Sequence, residues 1–250
     1  PFAGGGGDSR QRLRPGPILD PRVTVPLGGG GRAMETNQSE AIELERRLRE
    51  ETGGPLAERV SLRPGTPAGI LMVFPGRQYG PDAPLLRGPI EALTGEGWDV
   101  LVASYRQGDG PTGGDPIPAR ARRALDRILP ARSYRRIALL GKSMGTPYVA
   151  ALCADDARLA GARAAYLTPL IGNPDFERDF VRALQASYLA VGTVDPFYGV
   201  EALERLKTGR DLRLTVVDGA DHGLNIPGNP QASSQAVAHV VGEVVAFFTA

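Results

Sequence analysis

The chain has 250 residues, of which 42% are hydrophobic and 23% charged, and its net charge is +1. This composition is ordinary for a globular protein with one sizeable core, and a second domain is not required. Of the 29 basic residues only Lys142 and Lys207 are lysines, and the arginines form no long run, so a nucleic-acid partner is not indicated. No apolar stretch reaches the roughly 18 residues of a membrane span, and no signal segment opens the chain.

The single cysteine, Cys153, excludes an intramolecular disulfide and a zinc site built from cysteines. It stands in the apolar run 148–153, where a small buried side chain is a better interpretation than a reactive thiol. We therefore expect a reducing, cytoplasmic setting, and nothing in the sequence calls for a metal or an organic cofactor.

The first 33 residues differ from the rest of the chain. They contain 9 Gly, 5 Pro and 5 Arg, with glycine runs at 4–7 and 28–31. Such a segment has little apolar surface to bury, and we predict a disordered tail. Because the first methionine is Met34, one hypothesis is that translation begins there. Residues 34–250 are then predicted to form a single domain of net charge −2, since five arginines and two aspartates give the tail +3.

An antiparallel hairpin is predicted next. Ile42, Leu44 and Leu48 alternate with charged residues, which is typical of a strand buried on one face, although Arg46 interrupts the pattern. The glycine pair at 53–54 marks a turn, and Leu56, Val60 and Leu62 continue with a period of two.

From Gly69 onwards, short apolar runs alternate with amphipathic stretches. The run 70–74 is continuous and ends at Pro75–Gly76, as in a strand buried on both faces. This alternation predicts right-handed crossovers and a mostly parallel sheet with helices on both faces. Catalytic groups in such sheets collect at the carboxyl ends of the strands. Strands are predicted at 70–74, 100–103, 136–140, 164–167, 188–191 and 212–217, and helices at 85–93, 117–129, 146–153, 176–184, 200–207 and 234–248.

The segment LLGKSMGTP, residues 139–147, fits two motifs. A phosphate-binding loop, G-x-x-x-x-G-K-[ST], needs a glycine where Arg136 stands, and residues 137–140 have the pattern of a strand. A nucleophile elbow, G-x-S-x-G, needs a strand, a tight turn with small residues and a helix, which Gly141, Ser143 and Gly145 satisfy. The spacing favours a nucleophilic serine over a nucleotide site.

Two further motifs follow later strands. Asp195 stands in VGTVDP, 52 residues after Ser143, and His222 stands in VDGADHG, 27 residues further on. With the elbow, they make residues 69–250 resemble the α/β-hydrolase superfamily, in particular its small lidless esterases and dienelactone hydrolases. The resemblance implies the α/β-hydrolase fold without a large lid. It also implies a triad in which Ser143 attacks, His222 exchanges the proton and Asp195 orients the imidazole.

The resemblance also implies an oxyanion hole. The amide of Met144, immediately after the nucleophile, is one expected donor, and the second comes from the loop after strand 70–74. The family commonly has His-Gly in this loop, where this chain has Pro75–Gly76. By position the amide of Arg77 is the first candidate and that of Gln78 the second. The Arg77 side chain is interpreted as solvated, although a cation there would attract an acidic substrate.

Several residues compete with these assignments. Asp218 and Asp221 are alternative acids, although they stand in the loop of His222 itself and are candidates for shaping it. The only other histidine, His239, is predicted to lie in the C-terminal helix. Lys142 is interpreted as a solvated or loop-bracing residue, and residues 168–169 are candidates for lining the pocket.

The predicted function is hydrolysis of an ester or thioester through an acyl-enzyme, on a small-molecule acyl substrate. The alternative is a non-catalytic protein of the same fold that binds a ligand in the same cleft. Neither the substrate nor the oligomeric state is specified by these patterns.

Overall fold

The structure is a computed structural model that describes residues 30–50, 57–103, 105 and 117–250, with side chains from residue 38 onwards. Its strands are β1 (Ala57–Ser61), β2 (Ile70–Phe74), β3 (Asp99–Ala103), β4 (Ile137–Lys142), β5 (Arg163–Leu167), β6 (Ala186–Gly192) and β7 (Leu212–Val217). Its helices are α1 (Gly30–Arg49), α2 (Pro84–Gly95), α3 (Ile117–Ile128), α4 (Gly145–Asp155), α5 (Pro174–Arg182), α6 (Val200–Lys207) and α7 (Pro230–Thr249).

All seven described strands form one sheet in the order β1-β3-β2-β4-β5-β6-β7. Only β1 runs antiparallel to its neighbour; the pairs from β3 to β7 are parallel. After β2 the chain moves towards β3, whereas after β4 it moves towards β5 on the other side. The carboxyl ends of β2 and β4 therefore border a topological switch point, where a crevice opens in sheets of this kind.

Helices cover both faces of the sheet, as predicted. Successive residues of a strand point to opposite faces, so Ile70 and Met72 join one core while Leu71 and Val73 join the other. The first core is closed by buried side chains of α1, α3, α4, α5 and α6, and the second by those of α2 and α7. Between β5 and β6 the chain forms α5 and no lid domain, also as predicted.

The predicted N-terminal hairpin is wrong in its first strand. Residues 30–49 form α1, in which Ala41 and Leu48 are buried while Ile42 is 60% exposed. The positions of Leu44 and Leu48 fit a helical period as well as a period of two, and the burial of Ala41 fits only the helix. Arg46 adds hydrogen bonds to Glu43 and Glu50, three and four positions away, which stabilise a helix locally.

The second strand of the predicted hairpin exists but has a different partner. Strand β1 pairs antiparallel with β3, with Val60 opposite Leu101, instead of pairing with residues 42–48. Helix α1 also begins at Gly30, inside the segment predicted to be a disordered tail; residues 1–29 of that segment lie outside the described residues, as does the predicted turn at 53–54.

Candidate active site

Ser143 lies in a sharp turn between β4 and α4. Its φ is +50°, a left-handed conformation that is rare for residues with a side chain. The turn is held by Thr146, whose amide and hydroxyl donate to the carbonyl of Ser143 at 2.9 and 2.7 Å. Such strain is kept only where the surroundings enforce it, and it is a frequent feature of functional sites.

The two glycines of the elbow are required by close packing. A Cβ atom on Gly145 would lie 1.9 Å from the carbonyl oxygen of Phe74, in the neighbouring strand β2. A Cβ on Gly141 would lie 3.0 Å from the backbone of α4. Their small size lets α4 begin directly against the sheet, so that Ser143 stands at its carboxyl edge.

Asp195 and His222 meet Ser143 at this edge. The Nε2 atom of His222 lies 2.7 Å from the hydroxyl oxygen of Ser143, and its Nδ1 atom lies 2.7 Å from Oδ2 of Asp195. The other carboxylate oxygen of Asp195 accepts a hydrogen bond from the amide of Phe197 at 2.9 Å. The Asp195 side chain is fully buried and that of His222 is 30% exposed. The imidazole thus reaches the surface while its acidic partner is shielded from water.

The loops that carry Asp195 and His222 are joined along their backbones. The amide of Thr193 donates to Val217 O and that of Val194 donates to Ala220 O, both at 3.0 Å. A Cβ on Gly192 would lie 2.0 Å from the carbonyl oxygen of Ala220. The glycine therefore permits the close approach that sets the distance between Asp195 and His222.

The two competing aspartates have other partners. Oδ1 of Asp221 accepts hydrogen bonds from the amides of Gly223 and Asn225 at 2.7 and 2.8 Å, which fixes the loop around His222. Asp218 is exposed, and its Oδ1 accepts a hydrogen bond from the hydroxyl of Thr193 at 3.1 Å. Within the described residues, only Asp195 combines contact with the imidazole and full burial.

The remaining candidates lie away from the imidazole. His239 is exposed on α7. Thr168 follows β5 with a φ of +41° and is completely buried, so it does not line an open pocket. Cys153 is buried in α4, and burial raises the pKa of its thiol to about 12, in line with an inert core residue.

A cavity of about 320 Å³ opens beside Ser143. The loop after β2 forms one wall, where the amide of Gly76 donates to Tyr79 O at 3.1 Å and closes a tight turn around Arg77 and Gln78. Met144 is the residue before α4, so its amide stands at the positive end of that helix. The cavity is lined by Gly76, Arg77, Gln78, Tyr79, Lys142, Ser143, His222 and Gly223.

Lys142 is only 2% exposed, which contradicts the solvated interpretation and agrees with the loop-bracing one. Its ammonium donates to the carbonyl oxygen of His222 at 3.0 Å and lies 4.9 Å from the ring centroid of Tyr79. Burial lowers the pKa of Lys142 to about 8, although the charges of Asp195 and Asp221 oppose this shift.

Sequence reasoning gave no role to Tyr79 and missed Phe197. The ring of Phe197 lies 5.2 Å from that of His222, centroid to centroid, and is partly exposed. An aromatic residue two positions after the acid was the available signal for Phe197. A structural role for Lys142 was more strongly indicated, because this charged residue ends an apolar strand immediately before Ser143.

Neither a metal centre nor a membrane span is found in the described part of the chain. Among the described side chains, those of residues 38–50, 57–103, 105 and 117–250, no group of three or more His, Cys, Asp or Glu is arranged to hold a metal ion. No helix in the described part of the chain is long and apolar enough to cross a membrane.

Comparison with protein families identifies the class of this protein. The family model of the alpha/beta hydrolase domain matches residues 110–249, which include Ser143, Asp195 and His222. Because the match spans more than half of the chain, the protein belongs to the alpha/beta hydrolase domain family. The comparison with curated protein sequences found no match.

Solved structures share the fold at low sequence identity. Est1E from Butyrivibrio proteoclasticus, with ferulic acid bound, is 12% identical with a TM-score of 0.58 over 77% of this chain and 95% of its own. Dienelactone hydrolase from Anabaena variabilis is 18% identical with a TM-score of 0.57 over 76% and 88%. XC6422 from Xanthomonas campestris, a serine hydrolase without a lid, is 15% identical with a TM-score of 0.53 over 74% and 84%. Each of these comparisons establishes a common fold.

Proposed function

We propose that this protein is a serine hydrolase that cleaves an ester or thioester bond of a small acyl substrate through an acyl-enzyme. The observation that carries the proposal is the pair of 2.7 Å distances that join Ser143, His222 and Asp195 in one line. This is the arrangement that activates a serine hydroxyl, which is otherwise a weak nucleophile.

In the first half of the reaction, the hydroxyl of Ser143 attacks the substrate carbonyl carbon and gives its proton to Nε2 of His222. Asp195 accepts the hydrogen bond from Nδ1, which keeps Nε2 free to act as base and stabilises the imidazolium that forms. The tetrahedral intermediate then collapses. The bond to the leaving oxygen or sulfur breaks, and that atom receives the proton from Nε2.

In the second half, water attacks the acyl-enzyme and transfers a proton to the same Nε2 atom. The acid is then released, and Ser143 recovers its proton. Each half develops negative charge on the carbonyl oxygen, which the amides of Met144 and Arg77 are proposed to stabilise. Support for this pair comes from their positions: Met144 immediately precedes α4, and Arg77 lines the cavity beside Ser143.

The relatives support acyl chemistry on small molecules. One solved neighbour is a dienelactone hydrolase and another was determined with ferulic acid bound. The cavity of about 320 Å³ lies at the lower end of the range for small-ligand pockets. Among the described residues no lid domain covers it at the sheet edge, which suits a compact acyl group on an accessible substrate.

The test is covalent labelling with a serine-directed fluorophosphonate, followed by hydrolysis of p-nitrophenyl esters and matching thioesters. Labelling of the wild type and its loss in Ser143→Ala are expected, with turnover lowered by about 10⁴- to 10⁶-fold. Ser234→Ala is the matched control, since this serine is exposed on α7.

His222→Ala should be nearly as damaging as the loss of Ser143, whereas His239→Ala, at an exposed position, should retain activity. An unlabelled wild type would favour a ligand-binding protein of the same fold.

A further inference from the structure

Lys142 carries a buried charge that the reaction steps above do not use. It is the last residue of β4, directly before Ser143, and its side chain is among the largest that are fully buried. Burying an ammonium is unfavourable, whereas a methionine of similar length would pack at such a position without that penalty. The reason for a lysine instead of a methionine at position 142 is therefore to be found in the contacts of its ammonium.

Those contacts reach two other loops of the candidate site. The ammonium donates to the carbonyl oxygen of His222 at 3.0 Å, across 80 residues of sequence. It also lies 4.9 Å from the centroid of the Tyr79 ring, in the loop after β2. Tyr79 is itself anchored, because its hydroxyl accepts a hydrogen bond from the amide of Leu85 at the start of α2. One side chain thus links the elbow to both loops.

The contact with His222 is made to its backbone. Asp195 and Ser143 hold the two nitrogen atoms of the ring, but a ring held only at these atoms can still shift when its backbone moves. The hydrogen bond from Lys142 fixes the backbone carbonyl of His222. Together with the two ring nitrogens, this gives three fixed points that define the position of the imidazole. Small displacements of a catalytic base have large effects on rate.

We propose that Lys142, in its ammonium form, is a positioning residue that holds the His222 loop and the loop after β2 against the nucleophile elbow. This inference rests on the proposed serine hydrolase function. Lys142 acts through His222 and through the loop that carries Arg77, and it does not itself bond to the reacting atoms.

A specific pH dependence is expected from this role. The charged and titratable groups around the ammonium are Tyr79, His222, Asp195 and Asp221, with Arg77 in the same cavity. Burial raises the pKa of Tyr79 above its usual value of 10.0, whereas the pKa of Lys142 is lowered to about 8. Above about pH 8 the lysine therefore becomes a neutral amine, which is a weaker donor and loses the attraction to the ring. Activity is expected to fall with it.

Stability should change in the opposite direction. The pKa of a lysine side chain is ordinarily 10.5, and that of Lys142 is about 8 in the fold, so the unfolded chain binds more protons between these two values. Stability then rises with pH in that window, since the folded state no longer holds a buried charge. A fall in activity caused by deprotonation of Lys142 is thus distinct from alkaline unfolding.

The experiment compares Lys142→Met with Lys207→Met, the only other lysine, which is exposed on α6 and paired with Glu204. For Lys142→Met we expect kcat to fall by about 10- to 100-fold, KM to stay within about 3-fold and Tm not to fall. Lys207→Met should match the wild type in kcat, KM and labelling rate. Lys142→Arg, which keeps a permanent cation, should recover part of kcat.

The pH profile of the wild type and of the two Lys142 variants supplies a second measurement. The kcat/KM of the wild type should decline above about pH 8 as one proton is lost, while the profiles of Lys142→Met and Lys142→Arg stay level there. The proposal is overturned by a Lys142→Met enzyme with wild-type kcat, by a parallel loss of kcat and Tm, or by a level wild-type profile. Failure of the fluorophosphonate to label the wild type would instead refute the proposed function itself.

Discussion

At the level of single residues, the three aspartates near His222 differ in burial and in hydrogen-bond partners. Asp195 is fully buried and lies 2.7 Å from Nδ1, Asp221 shapes the loop through backbone amides, and Asp218 is exposed. A buried carboxylate interacts with an imidazolium more strongly than an exposed one, because less water screens the charges. Burial as well as distance therefore favours Asp195 as the proposed acid.

Asp195→Asn is expected to lower kcat by about 10⁴-fold, because an amide at this position favours the wrong tautomer of His222. Asp218→Asn, which removes an exposed charge, should leave kcat within about 2-fold. Steady-state kinetics of both variants, with circular dichroism to verify folding, provide the measurement. If Asp218→Asn were instead the crippling change, the acid would belong to the histidine loop.

At the level of secondary-structure elements, the position of Ser143 depends on how tightly α4 packs against β2. Gly145 begins α4 and stands against the backbone of Phe74, the last residue of β2. Strand β4, which leads into the turn, is paired with β2 from Ile70 to Phe74 and cannot move independently of it. The strained backbone of Ser143 thus lies between two paired strands and a helix that packs closely against them.

Gly145→Ala is expected to destabilise the protein by about 1–3 kcal/mol, as overpacking of a close contact does. Activity should fall as well, because α4 must shift away from β2 and carries Ser143 with it. Gly242→Ala is the control: a Cβ at Gly242, in α7, meets no atom within 4 Å, and alanine favours a helix. Urea unfolding and the fluorophosphonate labelling rate test both effects, and a Gly145→Ala variant as stable as the wild type would contradict the packing argument.

At the level of the whole molecule, α1 attaches the N-terminal part of the described chain to the sheet. Ala41 and Leu48 are buried in the core, the amide of Leu62 donates to Glu45 at 2.6 Å, and Arg49 donates to the carbonyl of Val60. All of these contacts come from residues after Met34. These contacts therefore all lie within residues 34–250, the range predicted to form the single domain.

A protein that begins at Met34 is expected to keep kcat/KM and to melt within a few degrees of the full chain. A shorter protein that begins at residue 51 should melt at a clearly lower temperature, because it exposes the surface that Ala41 and Leu48 cover. Calorimetry and kinetics of the two truncated proteins make the comparison. A large loss on removal of residues 1–33 alone would mean that this segment docks on the core.

Much of the parallel sheet could be predicted from the sequence, because its signals are local. The run 70–74 is apolar at every position, so it indicated a strand covered on both sides, and every residue of β2 is buried. The position of Ser143 in a tight turn between a strand and a helix was predictable for a similar reason, since such a turn needs glycines at fixed short distances. The order of the candidate triad came from three such local motifs.

Only the tertiary structure decided the features that depend on distant parts of the chain. The alternation at 42–48 could not separate a strand from a helix. The segment packs against β1 and α3, and only these contacts decide that Ala41 is buried. The partner of β1, the burial of Lys142 and its bond to His222 depend likewise on residues tens of positions apart. Spacing and residue type determine local conformational preference, whereas burial and charge pairing arise only when separate elements pack together.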